Sequence, residues 1–225
     1  MGNTVGSRRG QLSSGLALRA YKSKLNLTSR QISILIGSLL GDGTLRVGYK
    51  AANANFKIEQ GLVQKGYCLW KYDNFKEWVL TPPKLSYRYH DNGERYEKSW
   101  WFRTVRHPKI TFFRNLFYNK QGRKIIPKNI GQFLDPLSFA VWIMDDGYLS
   151  KKGIYDISTY SFKENEIHIL QRALMDKFQI TGKYFSDRDK GFRMYFPKSE
   201  TKNISSIISP HIVSCMKYKL PLLTP

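Results

Sequence analysis

An apolar run that stops abruptly on Asp-Gly occurs twice in this 225-residue chain, about 100 residues apart. The first is "LIGSLLGDG", from Leu35 to Gly43; the second is "FAVWIMDDG", from Phe139 to Gly147. Each reads as the buried length of a helix. The C-terminal end of a helix carries partial negative charge, so a carboxylate there is unfavourable unless a cation sits against it. Asp42 and Asp146 occupy equivalent places and pose the same demand. The punctuation around them also matches. Thr28 followed by Gln31 is a capping box ahead of the first run, and Asp135 with Pro136 supplies an N-cap and a first-turn proline for the second. Gly43 and Gly147 stand where a left-handed C-terminal cap is expected.

The duplication extends past the helices. After Gly43, "TLRVGYK" alternates like a half-buried strand and "ANFKIEQ" reads as its return partner; after Gly147, "YLSKKGIYDIST" gives a comparable hairpin around Lys152-Gly153. An amphipathic helix follows in each case, "LVQKGYCLWKYDNFKEWV" and "KENEIHILQRALMDKF". Second hairpins turn at Asn92-Gly93, where Asn-Gly signals a type I′ turn, and near Lys190-Gly191. Each copy closes with a helical stretch and a tail in which a lysine precedes a proline, "GRKIIPKN" and "MKYKLPLL". The expectation is an α+β chain of two αββαββα halves, 27–130 and 131–225, after a basic and flexible N-terminal arm, 1–26.

Charge restricts what such a chain meets. Lys and Arg number 37 against 17 Asp and Glu, a formal charge of +20, which points to a polyanion and to strongly salt-dependent binding. Absent motifs, a ribosomal or membrane-surface protein would share that balance. With 41% hydrophobic and 14% aromatic residues the chain can bury a core, and no run of 18 apolar residues suggests a membrane span. The start lacks the apolar segment of a secretory signal. Two cysteines, Cys68 and Cys215, make neither a disulfide framework nor a CxxC metal site, so a reduced intracellular setting is expected.

With both copies in view, "LIGSLLGDG" and "FAVWIMDDG" resemble the paired nonapeptides of the LAGLIDADG homing endonucleases, in the branch that carries two motifs in one chain. The resemblance covers about Leu27 to Pro221. It implies two motif helices packed side by side, with antiparallel sheets forming a DNA-binding saddle and both aspartates on its floor. Gly37 and Gly41, four apart, would let one helix approach closely, as Ala140 would for the other. Val141 and Asp145 depart from the small residues the motif prefers, which suggests a looser crossing; Leu40 and Met144 replace the motif's first acidic residue.

The resemblance also implies a chemistry that meets the demand of the two aspartates. Hydrolysis of a phosphodiester needs an activated water and neutralised charge on a pentacovalent phosphate, both of which carboxylate-held Mg²⁺ supplies; Mn²⁺ or Ca²⁺ could take its place in binding. The implied metal set is Asp42 and Asp146 with the backbone carbonyls that precede them, of Gly41 and Asp145. The side chain of Asp145 points about 100° from that of Asp146 on a helix and suits a structural ion pair. Lys124 and Lys219, before the two prolines, resemble active-site lysines that position the attacking water, and Gln60 matches a recurring polar position after the first hairpin. Two equivalent acids mean one cut in each strand of a double-stranded DNA.

Sequence readout should come from the sheet faces. On "KLSYRYH" the residues Lys84, Ser86, Arg88 and His90 share one side by alternation, and a two-stranded ribbon fits the major groove. Arg46, Lys50, Lys57 and Arg103 extend that face in the first half, and Lys151, Lys183, Arg188 and Arg193 in the second. Trp100 and Trp101 are adjacent in a strand, so one alone can face inward. "GIY" at Gly153–Tyr155 has no YIG after it, the four histidines have no metal-ligand spacing, and there is no phosphate loop of the GxxxxGK[ST] kind. The resulting expectation is a monomeric, Mg²⁺-dependent, site-specific DNA endonuclease of an organelle or a microbial mobile intron. The alternatives are an RNA-binding intron maturase on the same fold and a DNA-binding relic without catalysis.

Overall fold

The computed structural model describes residues 14–221. Among them, six α-helices and eight strands succeed one another in the duplicated order, preceded by one additional helix. That helix, α1 (Gly15–Ser23), lies within the stretch expected as an arm and is capped by the Ser14 side chain, which accepts from the Ala17 N–H at 3.1 Å; the arm's residues 1–13 lie outside the described residues. The first repeat continues with α2 (Ser29–Leu40), β1 (Thr44–Val47), β2 (Ala54–Gly61), α3 (Lys65–Phe75), β3 (Lys84–Tyr89), β4 (Arg95–Arg103) and α4 (Pro108–Phe117). The second has α5 (Pro136–Asp146), β5 (Gly147–Leu149), β6 (Tyr155–Ser158), α6 (Glu164–Phe178), β7 (Lys183–Ser186), β8 (Phe192–Phe196) and α7 (Thr201–Ile208). Both sheets are antiparallel, with strand orders β1-β2-β4-β3 and β5-β6-β8-β7.

Two compact units result, and the chain crosses between them three times: one holds residues up to Gln31 and Gly43–Arg114, the other Ile32–Asp42 and the residues from Asn115 on. In the first, alternation sends Leu45, Phe56, Ile58 and Phe102 inward, where Phe75 and Tyr72 of α3 meet Phe56 and Phe102 edge-on at centroid distances of 5.4 and 5.7 Å. In the second, Phe139 of α5 stacks on Phe178 of α6 at 5.4 Å and meets Phe196 of β8 edge-on. Every residue of α5 from Leu137 to Asp145 is buried. A helix apolar on all sides is sequestered on all sides.

The caps form as the sequence indicates. The Thr28 N–H donates to Gln31 Oε1 at 3.0 Å and the Gln31 N–H to Thr28 Oγ1 at 3.2 Å; Asp135 caps α5 through the Ser138 N–H at 2.7 Å, with Pro136 in the first turn. Two turn expectations are corrected. Positive φ among the described glycines is confined to Gly93, Gly122, Gly153 and Gly191, so neither motif helix ends in a left-handed glycine. Gly147 is extended, at φ −76° and ψ 147°, because α5 runs straight into β5. Glycine is needed there for space: a Cβ would lie 2.6 Å from the Ile143 carbonyl oxygen. The second hairpin is likewise not type I′, which requires positive φ at both central residues. Gly93 alone has it, at +83°, and the loop closes through His90 N–H to Glu94 O at 2.8 Å.

Candidate active site

The second unit contains Ile32–Asp42, which takes in most of α2 and the two residues after it, together with α5, so it holds both motif aspartates. The two helices touch where the repeats correspond. A Cβ on Gly37 would lie 2.6 Å from Val141 Cβ, and one on Gly41 would lie 2.5 Å from Asp145 Cβ. The larger residues of α5 therefore sit directly against the glycines of α2. This corrects the expected loosening: Val141 and Asp145 are accommodated because the facing position in the other helix has no side chain. At the N-terminal end of the contact the Ser33 hydroxyl donates to Asp135 Oδ2.

At the C-terminal end the carboxylates collect. Asp42 is exposed, Asp146 is partly buried and Asp145 is buried, with its Oδ2 accepting from the Asp42 N–H at 3.3 Å. The expectation of a structural role for the Asp145 side chain thus acquires a specific contact at the end of the other motif helix. Burial, and then the charges of Asp42 and Asp145, push the Asp146 carboxyl up to about 8 against the pull of Lys124 and Lys219. Burial in turn lowers the pKa of Lys219, opposed by the three aspartates.

Both lysines from the two tails reach this end. Lys124 Nζ donates to the Gly41 carbonyl at 2.8 Å, and Lys219 Nζ donates to the Gly147 carbonyl. Their backbones are held by different means. The Lys124 carbonyl accepts from Arg123 Nη1 at 3.0 Å; Arg123 makes two hydrogen bonds to Glu166, at 2.8 and 2.9 Å, and Glu166 also caps α6 by accepting from the Lys163 N–H at 2.7 Å. Hydrogen bonding to Glu166 raises the Arg123 pKa. Burial would raise that of Glu166, but bonds from Arg123 and from the Lys163 and Ile126 backbones bring it below the usual carboxylate range. The Lys219 carbonyl instead accepts from the Tyr155 hydroxyl at 2.9 Å. No pattern in the sequence marks Arg123, Glu166 or Tyr155 as members of the site; the adjacency of Arg123 to Lys124 is the one local signal.

The donor set suits a hard cation. Asp146 carries a displaced proton equilibrium caused by burial and two neighbouring negative charges, and helix-end carbonyls lie beside them. Among the described residues no three His, Cys, Asp or Glu side chains form a ready cage. A cation that keeps its own waters and shares phosphate oxygens needs only one or two protein carboxylates.

Gln60 belongs to the other unit, on β2, where its side chain takes the inward side of the sheet and is buried. Of the groove candidates in the first sheet, Arg46, Lys57, Arg103, Lys84, Ser86 and Arg88 fall on one outer face; the pairs Lys57↔Arg103 and Ser86↔Ser99 fix the register. His90 lies one residue beyond the end of β3, and its ring packs at 4.3 Å on Tyr96, the register partner of Arg88. Lys50 is a left-handed turn residue, φ 54°, with its ammonium over the Tyr49 ring at 5.3 Å. Trp101 faces outward beneath Lys57 at 5.5 Å, and Trp100 takes the other side, with Lys65 over it at 4.4 Å. In the second sheet Lys183 and Arg193 are outward strand residues, whereas Lys151 and Arg188 lie in hairpin turns.

Residues 32–204 match the family model described as "LAGLIDADG DNA endonuclease family". The chain is 29% identical over 210 residues to DNA endonuclease I-ChuI of Chlamydomonas applanata, covering 87% of this chain and 96% of that protein. It is 30% identical over 209 residues to the cytochrome b mRNA maturase bI2 of Debaryomyces hansenii, covering 86% of this chain and 74% of the relative. The homing endonuclease I-WcaI, solved bound to its DNA recognition sequence, shares the fold with a TM-score of 0.86 at 24% identity, covering 96% of this chain and 99% of its own.

Proposed function

The chain belongs to the LAGLIDADG DNA endonuclease family, and from that premise we propose that it is a monomeric homing endonuclease that hydrolyses one phosphodiester in each strand of a long double-stranded DNA site. The observation that carries the reading is the convergence of Asp42 and Asp146 at the ends of two packed helices, with a lysine reaching the carbonyl beside each. Asp42, Asp146 and the carbonyls of Gly41 and Asp145 would hold divalent metal, for which Mg²⁺ is the assigned ion. When bound, such an ion supplies an activated water and neutralises charge on the phosphate. The residues of the chain then have two roles. The carboxylates would hold the cation between the helix ends, which cancels their repulsion towards an incoming phosphate. Lys124 and Lys219, released from their carbonyls, would hold a proton at Nζ and orient the attacking water.

The similarity to bI2 gives the maturase reading a specific basis. Against it stands the electrostatics: a surface that only binds a polyanion gains nothing from acids that already repel one another. The deciding experiment is incubation with plasmid carrying the uninterrupted allele that flanks the open reading frame, with and without Mg²⁺. Linear product from the native chain, lost in both Asp42→Asn and Asp146→Asn and in chelator, supports the assignment. Unchanged cleavage in both variants overturns the site, and intron splicing without any cleavage favours the maturase.

A further inference from the structure

The outer face of the first sheet, where Arg46, Lys57, Lys84, Arg88 and Arg103 project, also carries a carboxylate. Glu59 Oε2 lies 2.6 Å from Lys57 Nζ; Oε1 lies 3.0 Å from Lys98 Nζ, 2.6 Å from Ser99 Oγ and 3.5 Å from Ser86 Oγ. Burial favours a proton on Glu59, but hydrogen bonds from Lys57, Ser99 and Lys98 outweigh it and hold the pKa at about 2. The group is ionised throughout the range in which duplex DNA is stable. Strand alternation would assign Lys98 and Ser99 to opposite faces. The register shifts between Ser86↔Ser99 and Tyr87↔Glu97, leaving Lys98 as the extra residue of a bulge, and this turns both side chains to Glu59.

A fixed negative charge on a face that meets phosphates lowers affinity for every sequence alike, so it does not serve general DNA binding. It serves discrimination. Each lysine gives one N–H to Glu59 and keeps two, and the clamp removes beforehand much of the rotamer freedom a lysine loses on binding. The carboxylate therefore has a lysine donor on each of its two oxygens, a sequence of donor, acceptor, donor. In the major groove an A·T pair presents acceptor, donor, acceptor: adenine N7, adenine N6–H₂ and thymine O4. A G·C pair presents two acceptors and then a donor, so a central carboxylate would oppose guanine O6. Resting on the endonuclease reading above, we infer that Lys57, Glu59 and Lys98 form a composite reader of one A·T pair, in either orientation, with Glu59 its specificity-determining residue.

The test is selection from a partly randomised library of duplexes based on the uninterrupted allele, with native chain, Glu59→Gln and Lys98→Met compared by sequencing the bound pool. Both variants should lose preference at the same single position, an A·T pair in the native profile, by about tenfold, with the remaining positions unchanged. Melting temperatures near the native value identify the change as local. If the native chain enriches no site, the endonuclease reading itself fails. If it enriches and cuts a site and both variants reproduce its profile, or the altered position is G·C, the Glu59 inference alone is overturned.

Discussion

The two repeats share an order of elements and differ at the points where they meet. In α2 and the residue that follows it the contact positions are Gly37 and Gly41; at the corresponding positions of α5 stand Val141 and Asp145, and each glycine lies against its own counterpart. Duplication thus fixed the topology while the contact became unequal, one helix supplying space and the other filling it. The two lysines show the same divergence. The Lys124 carbonyl accepts from a guanidinium held by an ion pair, and the Lys219 carbonyl accepts from a phenol. A repeated architecture constrains where groups are placed, and leaves free the means by which each is held.

The largest expected effect tests whether the two acids are equivalent. Asp42→Asn or Asp146→Asn should each lower cleavage by about a thousandfold or more, since several kcal/mol of charge stabilisation are at stake and each 1.4 kcal/mol is about tenfold. Strand-resolved gels then distinguish a coupled pair from two independent sites: full loss in each variant indicates coupling, and nicking of a different strand in each indicates independence. Next comes the helix contact. Gly37→Val should destabilise by about 3 kcal/mol, because the added methyls meet Val141 and the Ser138 carbonyl. Combining it with Val141→Gly removes the side-chain part of the clash but leaves the Ser138 carbonyl oxygen against the new Cβ, so denaturant titration should recover less than half of the loss. Full recovery would mean that side-chain volume, rather than backbone, sets the separation.

Much of this is legible from residues alone. The paired nonapeptides, the caps at Thr28 and Asp135, and the lysines ahead of Pro127 and Pro221 place the catalytic candidates, because these signals are local and the repeat supplies an internal control. The failures share one physical origin. Whether Gly147 is left-handed or extended depends on the strand that succeeds the helix, and the space it leaves is taken by the helix's own last turn. Val141 and Asp145 look unfavourable singly, since a glycine 104 positions away in sequence that makes room for Val141 is invisible to a pattern. Strict alternation puts Lys98 on the wrong face, because a bulge interrupts it. Glu166 and Tyr155 act through contacts distant in sequence, and no spacing rule reports those.

The tethers predict a smaller, unequal effect. Glu166→Gln removes a charge that two guanidinium bonds depend on, about 2 kcal/mol, whereas Tyr155→Phe removes one neutral hydrogen bond, about 1 kcal/mol. DNA affinity should be unchanged in both, with the loss confined to the cleavage rate, and the strand served by Lys124 should slow more in Glu166→Gln. Equal slowing of both strands with a matching fall in affinity would show that the ion pair only supports the fold.

The smallest effect is on stability and comes from the unlike positions of Asp146 and Lys219. In chelator the folded Asp146 carboxyl, raised to about 8, holds a proton that the unfolded chain has released by then, its ordinary value being 3.8. The folded state therefore binds more protons across that window, and stability falls as pH rises from about 4 to about 8. Lys219 acts in the opposite sense at higher pH: its folded pKa lies below the ordinary 10.5, so the unfolded chain binds more protons there and stability rises with pH. Melting curves at pH 5 and 8 should show the native chain losing more melting temperature across that interval than Asp146→Asn, which lacks the titrating group. Divalent cation should abolish that difference, because holding a cation requires the carboxylate form. A native chain whose melting temperature tracks the variant at both pH values would mean that neither burial nor the charges of Asp42 and Asp145 raise the Asp146 carboxyl, and the electrostatic account of the two helix ends would be lost with it.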